Sequence, residues 1–340
     1  MKSVGIDLHK KTISVCVMNE RREILARRRF DCASMNAIEQ FFRSLGEFQM
    51  VVEATASYEW LFRLLEPLAN RAVLAHPKKL RVIAESTRKT DKLDAQILAE
   101  FLVLDMIPTS YRPTPRQREH RRLVRQRAGV QKRITSTKNR LRRILADYNA
   151  DIPSLFTREG RRYLEKVKLS DAARFTANQI VAEQDFLTTQ LQECDRRLTE
   201  FAKTAPAAET ESRELLRSIP GVGRVTAEVV LAELADIRRF RSQKKVAAYA
   251  GLAPGQRESG GKRQELHIEK SGSKLLRWVI VEAAWQLVRR SIYWRRIYED
   301  LKGRLRAKKA IVAVARRLLG VMTAILKTGQ PYRHAIAATN

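Results

Sequence analysis

Hydrophobic and polar positions alternate in three short runs at the start of the chain. Val4-Gly5-Ile6-Asp7 opens the first, residues 12–18 form a β-branched second, and residues 23–30 a third. Period-two alternation predicts strands, and the polar stretch 19–22 predicts a hairpin turn between the second and third. The period then changes. Helical spacing over 35–45 gives way to an apolar run at 50–54, a helical stretch at 59–69 and a further apolar run at 72–75, with another helix over 91–102. Three strands, a helix, a strand, a helix and a strand predict a mixed α/β domain over residues 1–110, hairpins first and crossovers later.

Residues 111–205 follow a different rule. Leu123, Val130, Ile134, Leu141 and Ile144 fall on four-three spacing, interrupted by Arg127 and Thr137. After a break at Pro153 and Gly160, Ile180, Leu187, Leu191, Cys194, Leu198 and Phe201 repeat it, with Gln184 the polar member. Two heptad-patterned helices predict an antiparallel helical hairpin or a dimerising coiled coil. Residues 206–340 form a third, mostly helical region.

Charge narrows the partner. The 340 residues hold 66 Lys+Arg against 37 Asp+Glu, a formal net charge of +29. Self-repulsion on this scale is relieved by a polyanion, and nucleic acid binds such a surface by releasing counterions. Residues 111–150 carry thirteen Lys/Arg against Glu119 and Asp147, net +11, with Arg121, Arg125, Lys132 and Arg140 as candidate phosphate contacts. A solvated helix face is the plain alternative. No wide aromatic-rich apolar face accompanies these charges, so a membrane surface is not the expected partner. No apolar leader follows Met1, and Arg316 and Arg317 split the apolar stretch 310–327, so a cytoplasmic protein is expected. Cys16, Cys32 and Cys194 read as reduced core residues, and the five histidines lack zinc spacing.

Four acids stand out by placement. Asp7 and Glu53 end apolar strands, where a charge is costly unless paired or metal-bound. Asp91 and Asp94 lie three apart at a helix start, on one face. The strand and helix order is that of an RNase H-like (RuvC-like) domain. Strands paired that way would bring Asp7 beside Glu53, with the helix carrying Asp91 and Asp94 over them. Like charges so close repel by about 4 kcal/mol per pair at 4 Å and an effective dielectric near 20. Oxygen-only ligands favour Mg²⁺ or Mn²⁺, and a two-ion site is suited to phosphodiester displacement. The plain alternative is a helix-start charge at Asp91 and an exposed Asp94.

Two further motifs lie in the third region. Ser218-Ile219-Pro220-Gly221-Val222-Gly223 between helices resembles a helix-hairpin-helix, whose backbone N–H groups, here at Gly221 and Gly223, can hold a DNA phosphate. A plain helix-helix turn fits equally. Residues 255–263, Gly-Gln-Arg-Glu-Ser-Gly-Gly-Lys-Arg, read as a flexible basic loop in which Ser259 alone is turn chemistry, with no adjacent base to activate it.

The chain resembles, end to end, the bridge-RNA-guided DEDD transposases (serine recombinases) of bacterial insertion sequences, relatives of the pilin-gene inversion recombinases. The N-terminal match rests on Gly5-Ile6-Asp7, Glu53-Ala54-Thr55 with Tyr58, Lys89-Thr90-Asp91-x-x-Asp94-Ala95 and Leu98-Ala99-Glu100-Phe101. The C-terminal match rests on Ile219-Pro220-Gly221-Val222-Gly223, Tyr249-Ala250-Gly251-Leu252-Ala253-Pro254 and Glu258-Ser259-Gly260. The middle helices match only in pattern. The resemblance implies a transposase that cuts and rejoins donor and target DNA. It implies that Asp7, Glu53, Asp91 and Asp94 form a metal-binding tetrad, that Ser259 becomes covalently linked to DNA, and that a noncoding guide RNA and a synaptic assembly of two or four protomers take part. Lys262 and Arg263, in a variable stretch after the serine, are candidate nucleic-acid contacts. Two other readings fit the residues: a metal-dependent Holliday-junction-type endonuclease using water, and a non-catalytic nucleic-acid-binding scaffold.

Overall fold

The chain divides into two units, Met1–Arg112 and Pro113–Asn340. The structure is a computed structural model describing residues 1–55, 57–83, 91–259, 262–270 and 272–333; for 81–83, 91–93, 256–259 and 262–266 it describes the backbone only.

The first unit runs β1 (Lys2–Leu8), β2 (Thr12–Met18), β3 (Ile24–Asp31), α1 (Met35–Ser44), β4 (Phe48–Glu53), α2 (Tyr58–Leu65), β5 (Arg71–Ala75), α3 (Pro77–Ile83) and α4 (Asp91–Val103). The five strands form one sheet in the order β3-β2-β1-β4-β5. The hairpin pairs β1-β2 and β2-β3 are antiparallel, and the crossover pairs β1-β4 and β4-β5 are parallel. Alternation along each strand sends residues to opposite layers. Val4, Ile6 and Leu8 join Ile38 and Phe42 of α1 and Leu61 and Phe62 of α2 in one core. On the other face, Cys16 and Met18 of β2 meet Ala95 and Ala99 of α4, while Val51 of β4 clusters with Leu98 and Leu102. The outer strand β3 is largely exposed and carries Arg27, Arg28 and Arg29, charges that discourage pairing with another chain.

Gly5 sets how closely α4 can lie on this sheet. It pairs with Cys16 on one side and Val51 on the other, so it faces the helix. A Cβ at Gly5 would sit 2.1 Å from the Ala95 carbonyl oxygen and 2.4 Å from the Ala99 amide nitrogen. Only glycine permits that approach. Gly5→Ala is therefore expected to displace α4 and cost at least about 1–3 kcal/mol, the range for overpacking a tight core. Urea denaturation of the full chain checks it; an unchanged midpoint would mean that α4 does not rest on β1.

The second unit runs α5 (Pro115–Ala146), α6 (Arg158–Lys166), α7 (Asp171–Lys203), α8 (Ala207–Arg217), α9 (Arg224–Leu234), α10 (Gln243–Tyr249), β6 (Pro254–Ser259), β7 (Lys262–Ile268), α11 (Lys274–Arg290), α12 (Ile292–Arg304) and α13 (Ala307–Thr328). Thr114 and Gln117 start α5 with a reciprocal capping box. The heptad stripes of α5 and α7 meet within the chain. Val130 and Ile134 pack on Leu187 with Cys194 at the margin, and Leu141 and Leu145 pack with Ala177 and Ile180. The polar interruptions are accommodated inside that seam. Thr137 is buried and donates to the Ile134 carbonyl at 2.8 Å, and Arg127 pairs with Asp195 across the helices at 2.8 Å. All three cysteines are free thiols, and burial pushes that of Cys16 up. The flexible loop expected over residues 255–263 instead falls on strands: residues 255–259 belong to β6 and 262–263 to β7, which pair antiparallel. The runs on either side of Gly260-Gly261, residues 256–259 and 262–265, are polar throughout and carry no alternation; the hairpin signal in this stretch is the Gly-Gly pair itself.

A buried charge network ties α5 to α8 and α9. His120 Nε2 lies 2.6 Å from Glu228 Oε2, and Arg213 Nε donates to Glu228 Oε1 at 2.8 Å. Arg213 and Arg116 both donate to Glu209. Burial alone would raise the Glu228 carboxyl, but hydrogen bonds and charge from His120 and Arg213 outweigh it and hold it below the usual carboxylate range. Glu209 is lowered in the same way by Arg116 and Arg213. A carboxylate depressed on folding stabilises the protein at neutral pH and loses that contribution as pH falls below its ordinary value near ~4.3. Glu228→Gln removes the carboxylate shared by His120 and Arg213, leaving buried Arg213 with Glu209 alone, and is expected to cost up to about 3–5 kcal/mol at pH 7, with the difference from wild type shrinking below that pH. A pH-independent difference in denaturation midpoints would contradict this assignment.

Candidate active site and nucleic-acid interface

Strand register places the first two acids. Ile6 of β1 pairs with Val52 of β4, so the next residues, Asp7 and Glu53, are neighbours at the C-terminal ends of adjacent parallel strands. Asp7 shares Gly5's face and Glu53 shares Val51's, so both point to the α4 side of the sheet. The direction of α4 follows from its contacts. Gln96 is bonded by Arg27, which pairs with Cys16 on β2, whereas Glu100 is bonded by Arg22 in the β2–β3 turn. The helix therefore starts near the Asp7 end of the sheet and runs back towards the Met18 end. Asp94, half-buried, lies in its first turn; Asp91 is its first residue, and the Asp91 side chain lies outside the described residues.

Three further groups gather at this sheet end that the sequence reading missed. His9 Nε2 lies 2.9 Å from Asp7 Oδ2. Its signal was the spacing Asp7-Leu8-His9, which returns the histidine beside the acid where β1 turns into β2. Thr55, two residues past Glu53, has a buried hydroxyl without a hydrogen-bond partner among the described residues, and so does His76 Nδ1 just past β5. Ala75 pairs with Glu53, so Thr55 and His76 both follow the strand ends at which the acids lie. Ligands of parallel sheets bind outside the carboxyl ends of the strands, as here. Among the described residues no three His, Cys, Asp or Glu groups converge closely enough to hold an ion. The donors nonetheless fit a hard divalent cation in kind: an all-carboxylate set with unsatisfied oxygen and nitrogen beside it.

Ser259 ends β6 and pairs in register with Lys262, as Glu258 does with Arg263. The side chains of Ser259, Lys262 and Arg263 lie outside the described residues. The acids thus belong to residues 1–112 and the serine to residues 113–340.

Two of the candidate cations on the basic helix are engaged within the chain. Arg121 donates to the carbonyls of Ala232 at 2.7 Å and Glu233 at 3.0 Å. Arg125 grips both carboxylate oxygens of buried Glu233, at 2.8 and 2.9 Å. Both therefore tie α5 to α9, although the Arg125 side chain remains 58% exposed. Arg140 is exposed but paired with Glu183. Lys132 is exposed and makes no ion pair among the described residues, and neither do Arg122, Arg133 and Arg143. Gly221 and Gly223 also separate. Gly221 has a φ of +85° and a Cβ there would meet Gln286 Cβ at 2.9 Å, so it serves a left-handed turn packed on α11. Gly223 caps α9 with nothing within 4 Å of its missing Cβ, leaving that helix start open. No helix among the described residues is long and apolar enough to cross a membrane.

Comparison with known proteins covers both units. Residues 4–150 match a family model described as Transposase, of the DEDD type of IS110, and residues 213–299 match one described as Transposase IS116/IS110/IS902 family. The transposase for insertion sequence element IS1111A of Coxiella burnetii is 26% identical over 348 residues, covering 98% of this chain and 92% of that protein. The transposase for insertion sequence element IS1328 of Yersinia enterocolitica is 26% identical, covering 92% of each. The pilin gene-inverting protein of Moraxella bovis is 24% identical over 97% of each chain.

Proposed function

We propose that this chain, which is similar in both units to DEDD insertion-sequence transposases of the IS110/IS116 family, is such a transposase and cuts and rejoins DNA through a covalent Ser259–DNA intermediate. The observation that carries the proposal is the register that sets Asp7 beside Glu53 under the start of α4. The sheet order β3-β2-β1-β4-β5, with α4 across it, supports an RNase H-like reading of this unit. Asp7, Glu53, Asp91 and Asp94 would hold Mg²⁺ or Mn²⁺, which when bound polarises a phosphate and makes a hydroxyl easier to deprotonate.

The remaining chemistry belongs to the chain's own groups. Ser259 Oγ attacks the scissile phosphorus; the Oγ–P bond forms as the P–O bond to one sugar breaks. The serine proton passes to solvent, and the departing sugar oxygen takes a proton. A sugar hydroxyl of the exchanged strand then attacks the phosphoserine, re-forms the phosphodiester and returns the serine. Bond energy is conserved, so no nucleotide cofactor is needed. The β6–β7 hairpin supplies a backbone frame for the serine, with Lys262 and Arg263 opposite Ser259 and Glu258 as phosphate contacts.

The outward cations of α5, with Gly223 at the helix-hairpin-helix-like turn, make a sequence-independent grip for donor and target DNA and for a noncoding guide RNA, within an assembly of two or four protomers. Replacing Arg122, Lys132, Arg133 and Arg143 with Glu is expected to weaken binding across unrelated sequences. The slope of log affinity against log salt should fall by about 0.9 per lost phosphate contact on duplex DNA and about 0.7 on single strands. An unchanged slope would return this face to mere solvation. Ser259→Ala separates the transposase reading from an endonuclease using water: the first loses cleavage and the second keeps it.

A further inference from the structure

The corner between α11 and α12 carries chemistry that neither the acids nor Ser259 uses. Residues 289–296 read Arg-Arg-Ser-Ile-Tyr-Trp-Arg-Arg, and Ser291 caps α12 at the turn. Ile292 is 71% exposed and Tyr293 41% exposed at that tip. Beside it is a cavity of about 460 Å³ lined by Trp285, Val288, Arg289, Arg295, Tyr298 and Glu299. Pockets for small ligands span about 300–1,000 Å³.

Its lining is specific in kind. The Trp285 and Tyr298 rings meet edge to face with centroids 5.3 Å apart. Trp294 donates its indole N–H to Tyr332 Oη at 2.9 Å, whereas that of Trp285 finds no acceptor among the described residues. Arg295 is held in place, donating from Nη2 to the Arg289 carbonyl at 2.9 Å and from Nε to that of Val288 at 3.4 Å. Arg289 is exposed and makes no ion pair among the described residues. Glu299, the acid of the lining, is neutralised by Lys302 at 3.2 Å. Two turns earlier on the same face of α11, Trp278 is 53% exposed.

Aromatic faces beside guanidinium groups match a nucleotide: bases stack on the rings and the phosphate meets the cations. We propose that this cavity binds one unpaired nucleotide of a nucleic-acid strand, its base against Trp285 and Tyr298 and its phosphate on Arg289 and Arg295. The indole N–H of Trp285 is placed to donate to a base acceptor, and Trp278 offers a stacking surface to the adjoining base. The inference rests on the chain acting on nucleic acid, and not on the serine chemistry.

The test uses the full chain and a short strand of abasic sugar-phosphates carrying one central 2-aminopurine, made as DNA and as RNA. The wild type is expected to quench 2-aminopurine emission and to bind this strand more tightly than the fully abasic one. Trp285→Leu should erase that preference, an affinity loss of roughly 5- to 150-fold, the equivalent of about 1–3 kcal/mol for one stacked base. Trp285→Phe, which keeps a ring, should restore most of it, and Arg289→Gln should lower the salt slope by about 0.7. Tighter binding of the DNA or the RNA strand identifies the source of the nucleotide. Equal affinity of the wild type for the one-base and fully abasic strands, or an unaltered preference in Trp285→Leu, overturns the proposal. No cleavage is involved, so failure of the Ser259 chemistry would leave this result unchanged.

Discussion

Ser259→Ala is expected to bind RNA and DNA as the wild type does, yet to form no covalent adduct and no recombinant product. One hydroxyl contributes little to the affinity of a chain with a net charge of +29. It contributes everything to a reaction in which its oxygen becomes bonded to phosphorus. Losing a nucleophile costs an enzyme on the order of 10⁶-fold in turnover. Ser259→Cys should keep at most traces of activity, because a soft thiolate is poorly matched to a hard, metal-polarised phosphate. The position limits collateral damage: Ser259 closes a two-stranded ladder, and alanine keeps its backbone pairing with residue 262. Gel-shift titration and denaturing electrophoresis on labelled DNA, run in parallel, read binding and adduct separately.

Asp7→Asn, Glu53→Gln, Asp91→Asn and Asp94→Asn should each lower cleavage by at least about 10³-fold, the rate equivalent of some 4 kcal/mol of lost transition-state stabilisation. Each swap keeps volume and removes a charge. Asp7→Asn retains a hydrogen-bonding oxygen for His9, so the strand end should hold. Folding is checked by urea denaturation. A second readout does not depend on activity. In the proposed shared site the four acids would repel one another, so added Mg²⁺ or Mn²⁺ should raise the Tm of the wild type more than that of any variant. Equal shifts across the set would argue against a shared ion site, and near wild-type cleavage in one variant would remove that residue from it.

Much of the first unit was legible because its signals are local. Alternation marked β1, β2 and β3 within a few residues of their observed ends, and the change to helical spacing marked α1, α2 and α4. Strand-end placement singled out Asp7 and Glu53, and register makes them neighbours. What was not legible depends on partners distant in sequence. Arg125 reads as one more cation in a basic run until Glu233, 108 residues away, is folded against it. Gly5 looks like a weak residue in a strand until α4 is seen to lie on it. The β6–β7 hairpin was missed for the opposite reason. Its strands are polar on both faces next to the glycines, so no alternation marks them, and the Gly260-Gly261 pair is the local hairpin signal. Likewise the histidines show no zinc spacing, and the contact His9 makes is with an acid two residues away, at the end of the same strand.

The central claim is that this chain joins itself to DNA through Ser259. The most direct measurement is to trap the wild-type protein on cleaved, labelled DNA with its RNA present, digest the adduct with protease and identify the nucleotide-bearing residue by mass spectrometry. The account predicts a phosphodeoxyribose remnant on a peptide containing Glu258-Ser259-Gly260, attached at the serine and absent from Ser259→Ala. Cleaved DNA without any attached peptide, or a remnant on another residue, would contradict it.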